Sequence, residues 1–435
     1  MSQVLSPVTQ SILLLTSPLM TGRVSKSAEP LTLGEYKKLA LLLHQLGKDP
    51  AAFLGQGSGE LIGACASIAA ADRFAALFAR GFALSQALED WQARSIAVVS
   101  RADAAYPRSI KARLKGDAPP VLYFCGDLAL ADSGGLAVVG SRDVSDELLG
   151  YATRVGGLAA SSGTTIVSGG ARGIDKAGMG GALARGGKVV GILVDHLRDA
   201  VIERENRDAI MQGRLLLFSP YDPVIGFTVG NAMARNKLVY ACAKAGLVVS
   251  SDHKKGGTWA GAIEQLEKFR QVPLYVRDEG EGSPGIVALR QHGALAWPAP
   301  ATVEAFAELA RGWQSSVGMA SQDERAPAHA TPELFGTEVR ETGSQTLYVA
   351  LPPDTTVSTD DEMSFEDDDH DRTERLKRFL GKPRYLAEIV AEFGIKKAET
   401  QEFLDRLTQT GALEKSKRPL RYWVKPRELF DDVDF

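Results

Sequence analysis

Between Leu136 and Val276, short and nearly unbroken apolar runs alternate with glycine-rich turns and amphipathic stretches. The runs are Leu136–Val139, Thr165–Val167, Lys188–Val194, Leu215–Phe218, Leu247–Val249 and Val272–Val276. They lack the alternation of a strand with one wet face, so they predict strands covered on both sides, as in a parallel sheet. Helical periodicity fills the gaps over about Ser145–Ala160, Ile174–Arg185, Ala232–Ala243 and Thr258–Phe269. Strands alternating with such helices predict a doubly wound, Rossmann-like α/β fold with a mostly parallel sheet, its core running from about Val121 to Pro300. In these sheets ligands bind beyond the carboxyl ends of the strands.

The flanks have other textures. Thr32 and Glu35 stand at capping-box spacing, and Tyr36, Leu39, Leu43 and Leu46 then share one helical face before Gly47. Alanine-rich helical patterns continue to about Ala93, so residues 1–95 are expected to form an N-terminal helical domain ahead of the Rossmann-like domain at 96–313. Residues 314–370 are rich in Ser, Thr, Pro, Asp and Glu without periodicity and predict a flexible acidic linker. Three short helical patterns follow, Thr373–Leu380, Leu386–Phe393 and Ala398–Thr410, and then the strand-like Leu420–Val424. That order predicts a winged helix-turn-helix domain over 371–427, with an acidic tail at 428–435.

A chain of 435 residues exceeds one hydrophobic core and fits several domains. Cys65, Cys125 and Cys242 lie far apart with no C-x-x-C spacing, which predicts neither a disulfide framework nor a zinc site and fits a reducing cytoplasm. The early apolar run Ile12–Leu15 falls far short of the ~20 residues of a membrane span, and no targeting segment is expected. The net charge of −4 speaks against wholesale coating of nucleic acid, yet it hides opposed blocks. Asp354–His370 holds eight acids and no Lys or Arg, whereas Asp371–Arg427 holds fifteen Lys/Arg against eight acids.

Chemistry gathers at the predicted strand ends. The first strand leads into Gly140, Ser141 and Arg142, and the second into Ser168, Gly169, Gly170, Ala171, Arg172, Gly173, Ile174 and Asp175. Glycines permit close backbone approach, free amides at a helix start favour an anion, and arginines add bidentate phosphate contacts. Two further clusters are Arg235, Asn236 and Lys237, expected near a helix start, and Lys254, Lys255, Gly256, Gly257 and Thr258 after the Leu247–Val249 strand. The plain alternative is that the glycines only make tight turns and the cations are solvated; four such clusters after strands of one sheet favour a phosphate site. Asp175 could orient Arg172 or cap its helix. Trp259 and Phe227 flank basic motifs and could stack on bases or pack onto the sheet. His196 and His253 lack metal spacing, and no catalytic, metal or cofactor constellation is expected.

Gly140-Ser-Arg, Ser168-Gly-Gly-Ala-Arg-Gly-Ile-Asp, Arg235-Asn-Lys and Gly256-Gly-Thr stand in the order seen in the DNA-processing protein A (DprA/Smf) family, part of the Rossmann-like SLOG group, which this chain resembles. Ala102-Asp-Ala-Ala-Tyr-Pro107 and Ala118-Pro-Pro-Val-Leu-Tyr-Phe124 look like the start of that family's domain. The resemblance implies single-stranded DNA binding at Gly140, Ser141, Arg142, Gly169, Gly170, Arg172, Gly173, Arg235 and Lys237, a homodimer, and delivery of DNA to a RecA-like recombinase with no reaction catalysed. Departures mark a divergent member: where the family has a Gly turn and a Tyr-Pro pair, this chain reads Val194-Asp-His-Leu-Arg-Asp-Ala200, keeping only Asn206 as a match. Related Rossmann-like proteins are nucleotide sensors or N-glycoside hydrolases. The hydrolases carry Gly-Gly-x-Gly-Thr-x-x-Glu, and here Gly261 falls where that glutamate would, with Glu264 a turn later.

In the C-terminal module Lys396, Lys397, Lys415, Lys417, Arg418, Arg421 and Lys425 are candidate phosphate contacts, with protein docking as the alternative role. The ending Asp431-Asp-Val-Asp-Phe435 resembles the acidic, Phe-terminated tip of bacterial single-strand-binding proteins, and is expected either to recruit proteins that read such tips or only to keep the chain soluble.

Overall fold

The computed structural model describes residues 4–19, 28–278, 283–319, 384–385, 404, 413–417 and 420–424, and the chain divides into two units, Met1–Arg340 and Glu341–Phe435. The first unit opens with α1 (Pro7–Thr16), α2 (Leu33–Gln45), α3 (Ser58–Ala64), α4 (Ala71–Phe78) and α5 (Gly81–Ala93). The capping box of α2 forms: the Thr32 hydroxyl accepts from the Glu35 amide at 3.2 Å and the Glu35 carboxylate accepts from the Thr32 amide at 2.8 Å. Tyr36, Leu39 and Leu43 are buried as the periodicity requires, but Leu46 is the C-cap residue and stays 45% exposed. The Ile12–Leu15 run lies in α1, a buried helix that Ser6 caps and Pro7 opens.

These helices share a continuous apolar core with the sheet that follows. Trp91 meets Tyr123 edge-on at 4.9 Å, and the Tyr123 hydroxyl donates to Ser17 Oγ at 2.8 Å. The Thr9 hydroxyl donates to the Asp103 carboxylate at 2.8 Å, and the Ser100 amide donates to the same carboxylate at 2.7 Å. Residue 95 is therefore not a break in packing, because the helices bury their apolar faces against the sheet rather than against one another alone.

In chain order the rest of this unit runs β1 (Ala97–Ser100), α6 (Arg108–Leu114), β2 (Val121–Cys125), β3 (Gly135–Val139), α7 (Asp146–Ser161), β4 (Thr165–Ser168), α8 (Ile174–Ala184), β5 (Val189–Ile192), α9 (Leu197–Ala200) and α10 (Arg204–Met211). There follow β6 (Leu215–Ser219), α11 (Val229–Ala241), β7 (Ala245–Val248), α12 (Gly256–Ile263), β8 (Leu274–Val276), α13 (Pro284–Gln291), β9 (Leu295–Ala296) and α14 (Val303–Met319). One sheet takes the order β1-β2-β6-β5-β4-β3-β7-β8-β9. All six predicted strands are present as β3 to β8 and pair in parallel where they neighbour one another. β1 and β2 add an antiparallel edge, and β9 a short parallel one. α12 gives way to π-helical turns over Glu264–Phe269. α14 continues past Gln314, where the linker was expected to begin.

The N-terminal helices, α7, α8 and α14 cover one face of the sheet, and α6, α11, α12 and α13 the other. From β3 the chain steps outward through β4, β5 and β6, then returns to place β7 on the other side of β3. Connections leaving β3 and β7 therefore diverge and open a crevice at the carboxyl ends of those strands.

The second unit contains a three-stranded antiparallel sheet, ordered β10-β12-β11, of β10 (Arg384–Tyr385), β11 (Leu413–Lys417) and β12 (Leu420–Val424). β12 coincides with the expected strand, and Lys415, Lys417 and Arg421 lie on β11 and β12. The three expected helices, apart from Leu404, lie outside the described residues. So do the rest of the linker beyond α14 and the acidic tail.

Candidate nucleic-acid interface

The crevice is a pocket of about 400 Å³. It is walled by residues 139–143 after β3, by Ala171 and Asp175 after β4, by Phe227 and one side of α11, and by the loop after β7 with the start of α12. Its charged residues are Arg142, Arg235 and Lys255 against Asp143, Asp175 and Asp252. Three cations face three acids, so whatever the pocket holds is selected by directed contacts rather than by net charge.

The loop after β4 does not present its groups as the sequence pattern suggests. Asp175, buried at the start of α8, accepts from the Gly169 amide at 3.2 Å and also from the amides of Gly140 and Ala171. This carboxylate fills the backbone cradle that was expected to take a phosphate. The Ser141 amide donates to Ser250 Oγ at 3.1 Å, and the Ser168 hydroxyl donates to the Val138 carbonyl at 2.6 Å. Glycine is required here by the protein itself. A Cβ on Gly140 would run into the Ile174 side chain, and one on Gly173, whose φ is +90°, into the Ser141 and Arg142 carbonyls. Gly170 turns the loop at a φ of +67°.

Asp175 also answers a different arginine from the one expected. Arg172 is exposed and pairs with Asp143 at the rim, outside the pocket lining. The charge facing Asp175 is Arg235, which is 5% exposed although it lines the pocket. Burial pushes the Asp175 carboxyl above the usual carboxylate range, opposed by Arg235 and by the three amides. Burial likewise lowers the Arg235 guanidinium from its ordinary value, and its Nε is buried without a hydrogen-bond partner. Arg235 stands in the middle of α11, not near its start, because α11 begins at Val229. Lys237, two residues on, points away from the pocket: its electrostatic neighbours are Asp117, Lys37, Glu264 and Lys268. Positions i and i+2 of a helix face different ways.

The open anion-binding groups lie at α12. α7 and α11 are capped by Ser145 and Thr228, but no side chain caps α12, and two bare glycines, Gly256 and Gly257, occupy its first positions. Gly256 adopts a φ of +82° with nothing near its absent Cβ. Uncapped amides and the helix dipole favour a negative group there. Asn236 holds α12 in place by donating to the Gly257 carbonyl at 2.8 Å, while the Thr258 hydroxyl is spent on the Gly140 carbonyl at 3.0 Å. Lys255 lines the pocket, and Lys254 sits at the turn just outside it, at a φ of +54°.

The mouth also has an apolar wall that sequence reasoning largely missed. Phe227, Val229 and Met233 all line it and are 42%, 66% and 45% exposed. The Arg142 guanidinium lies 4.8 Å over the Phe227 ring. The only advance signal was the position of Phe227 upstream of Arg235. Trp259 turns away from the pocket and packs edge-on against His253 at 5.0 Å and His292 at 6.0 Å.

Residues 97–304 match the family model described as DNA recombination-mediator protein A. Over this stretch the chain is similar to the DprA/Smf family. Protein Smf of Synechocystis sp. is 30% identical to the chain over 177 residues, 39% of this chain and 44% of that protein. A Mycobacterium tuberculosis protein bearing the name DNA processing protein DprA is 28% identical over 298 residues, 65% of this chain and 69% of that one. The match thus spans less than half the length of the first and about two thirds of the second. The X-ray structure of DNA processing protein A (DprA) from Streptococcus pneumoniae superposes with a TM-score of 0.51 over 63% of this chain and 92% of that chain at 21% identity, which shows a shared fold. The described pocket walls all lie within the matched stretch. Among the described residues no His, Cys, Asp and Glu cluster is arranged to hold a metal, and no helix is long and apolar enough to cross a membrane.

Proposed function

We propose that the chain is a cytoplasmic DNA-processing protein that binds single-stranded DNA at this pocket and presents it, without catalysing a reaction, to a RecA-like recombinase or other DNA machinery. The observation that carries the reading is the uncapped start of α12, with the bare amides of Gly256 and Gly257, facing Arg142 and Arg235 across the pocket. A backbone phosphate takes those amides and Lys255 as donors. Asp175 holds Arg235 in place behind it, and Arg172 and Lys254 stand at the rim. The exposed wall of Phe227, Val229 and Met233 then takes an unpaired base, which duplex DNA does not offer. The similarity of residues 97–304 to DprA/Smf proteins supports the same role, and a homodimer, by resemblance, would extend the track. The basic strands of the second unit and the acidic tail at 428–435 are assigned to further DNA contact and to partner recruitment.

The test is fluorescence anisotropy with a labelled oligothymidine and the matching duplex over a salt series. Binding that prefers the single strand and weakens with salt, with a log–log slope of about 0.7 per phosphate contact, is expected. No binding at low salt, or equal binding of duplex, refutes it. The pocket's size, about 400 Å³, also suits a mononucleotide and supports a nucleotide sensor as the second reading. Under that reading a nucleotide at about 100 times its Kd stabilises the fold by about 2.7 kcal/mol.

A further inference from the structure

The sheet carries a second recess at its opposite edge, beyond the amino-terminal ends of β3 and β4. It encloses about 380 Å³. Lys188 in the turn into β5, Lys244 in the turn into β7 and Arg311 on α14 line it, together with the turns around Gly134 and Gly163. Among the described residues, no acidic one lines it. None of the three cations forms an ion pair or a side-chain hydrogen bond with another described residue. The pocket at the other edge sets three cations against three acids. Among the described residues this recess sets three against none, so here charge alone draws an anion, whereas the first pocket selects by directed contacts.

The site is shaped as well as charged. Gly134 has a φ of +66°, and a Cβ there would lie 2.7 to 3.1 Å from the Lys244 side-chain carbons. The missing methyl lets the lysine stem lie flat against the turn, which fixes where its ammonium emerges. Two hydroxyl pairs on the rim, Ser133 with Thr165 and Ser162 with Thr164, bond to each other at 3.1 and 3.0 Å. The carboxyl ends of α7, α8 and α11 all reach this edge and bring roughly −0.5 of a charge each, about half of what three cations carry. Like charges compensated only in part repel one another, and a multivalent anion lowers that cost.

The geometry points to a second phosphate-binding site, formed by Lys188, Lys244 and Arg311, at the amino-terminal edge of the sheet. Two ammonium groups and one guanidinium fork arriving from three separate elements suit a phosphate group, whose oxygens accept from several directions. The phosphate belongs either to nucleic acid running over the sheet edge or to a small free phosphate. The inference does not depend on DNA binding in the first pocket.

The experiment compares the full chain with its Lys188→Ala/Lys244→Ala/Arg311→Ala variant. Anisotropy salt series use an oligothymidine of about 4 nucleotides, enough for one site, and one several times longer. Calorimetric titration with inorganic phosphate forms a separate arm. Loss of three contacts is expected to lower the log–log salt slope for the long strand by about 2 and leave the short strand unchanged. If instead phosphate binding disappears while DNA slopes stay the same, the site takes free phosphate. Unchanged slopes together with unchanged phosphate binding overturn the inference. A Lys188→Ala/Arg311→Ala variant keeps the Lys244 stem on Gly134 and should lose about 1.4 of slope, which guards against a folding defect. Arg142→Ala reports the first pocket alone. If the wild-type chain binds no DNA, the proposed function falls, and the phosphate arm still decides this site.

Discussion

Replacing Gly169 by alanine tests whether this glycine serves the protein's own arginine or a ligand. Gly169 is not among the positive-φ glycines, unlike Gly170 and Gly173, so alanine adds volume there without backbone strain. The added Cβ would lie 2.5 Å from Arg235 Nη2 and closer still to Cζ and Nη1, which no packed structure tolerates. Arg235 is 5% exposed, so its guanidinium must swing toward the pocket or the turn after β4 must shift. Overpacking of this kind costs about 1–3 kcal/mol. Each 1 kcal/mol lowers the melting temperature of a domain this size by roughly 2–4 °C. Thermal unfolding of Gly169→Ala, Arg235→Ala and the double variant forms a cycle. Removing Arg235 relieves the clash, so the double variant should be less destabilised than the sum of the singles by about 1–2 kcal/mol. The single-strand affinity of Gly169→Ala should fall as well, because Arg235 is displaced. Wild-type stability for Gly169→Ala, or strict additivity in the cycle, refutes the reasoning.

Three other outcomes follow from the same geometry. Arg142→Ala, at an exposed position, should leave the melting temperature unchanged and lower the salt slope of oligothymidine binding by about 0.7. Phe227→Ala should cost about 1–3 kcal/mol of binding to oligothymidine and nothing with an abasic strand; equal losses on both would remove the base-stacking role. The Glu35 carboxyl is held at about 2, chiefly by its hydrogen bond to Arg73, below its ordinary 4.5. The stability this brings is present above pH 4.5 and lost as pH falls toward 2, so Glu35→Gln should melt lower at neutral pH and show a flatter stability curve across that window.

Local chemistry was legible in the chain wherever one segment settled the matter. The continuous apolar runs announced the parallel strands, because a strand covered on both faces has no polar side to show. The Thr32 and Glu35 spacing announced the start of α2 because both halves of a capping box lie within one turn. What lay between segments was not legible. Asp175 and Gly169 sit in one motif, but that the carboxylate fills the amide cradle and answers Arg235, some 60 residues downstream, depends on α11 packing over the ends of β4 and β5. Whether Arg235 or Lys237 faces the pocket depends on where α11 starts, and Thr228 settles that with its cap. β1 and β2, and the joining of the N-terminal helices to the sheet, depend on a core shared across some hundred residues of chain. The sequence by itself determined the six parallel strands and four of the helices between them, the crevice at the carboxyl ends of the strands and the basic character of its loops. The tertiary structure alone decided which cations are bare, since a charge is neutralised by what lies near it in space: among the described residues, three acids at the predicted pocket and none at the opposite edge.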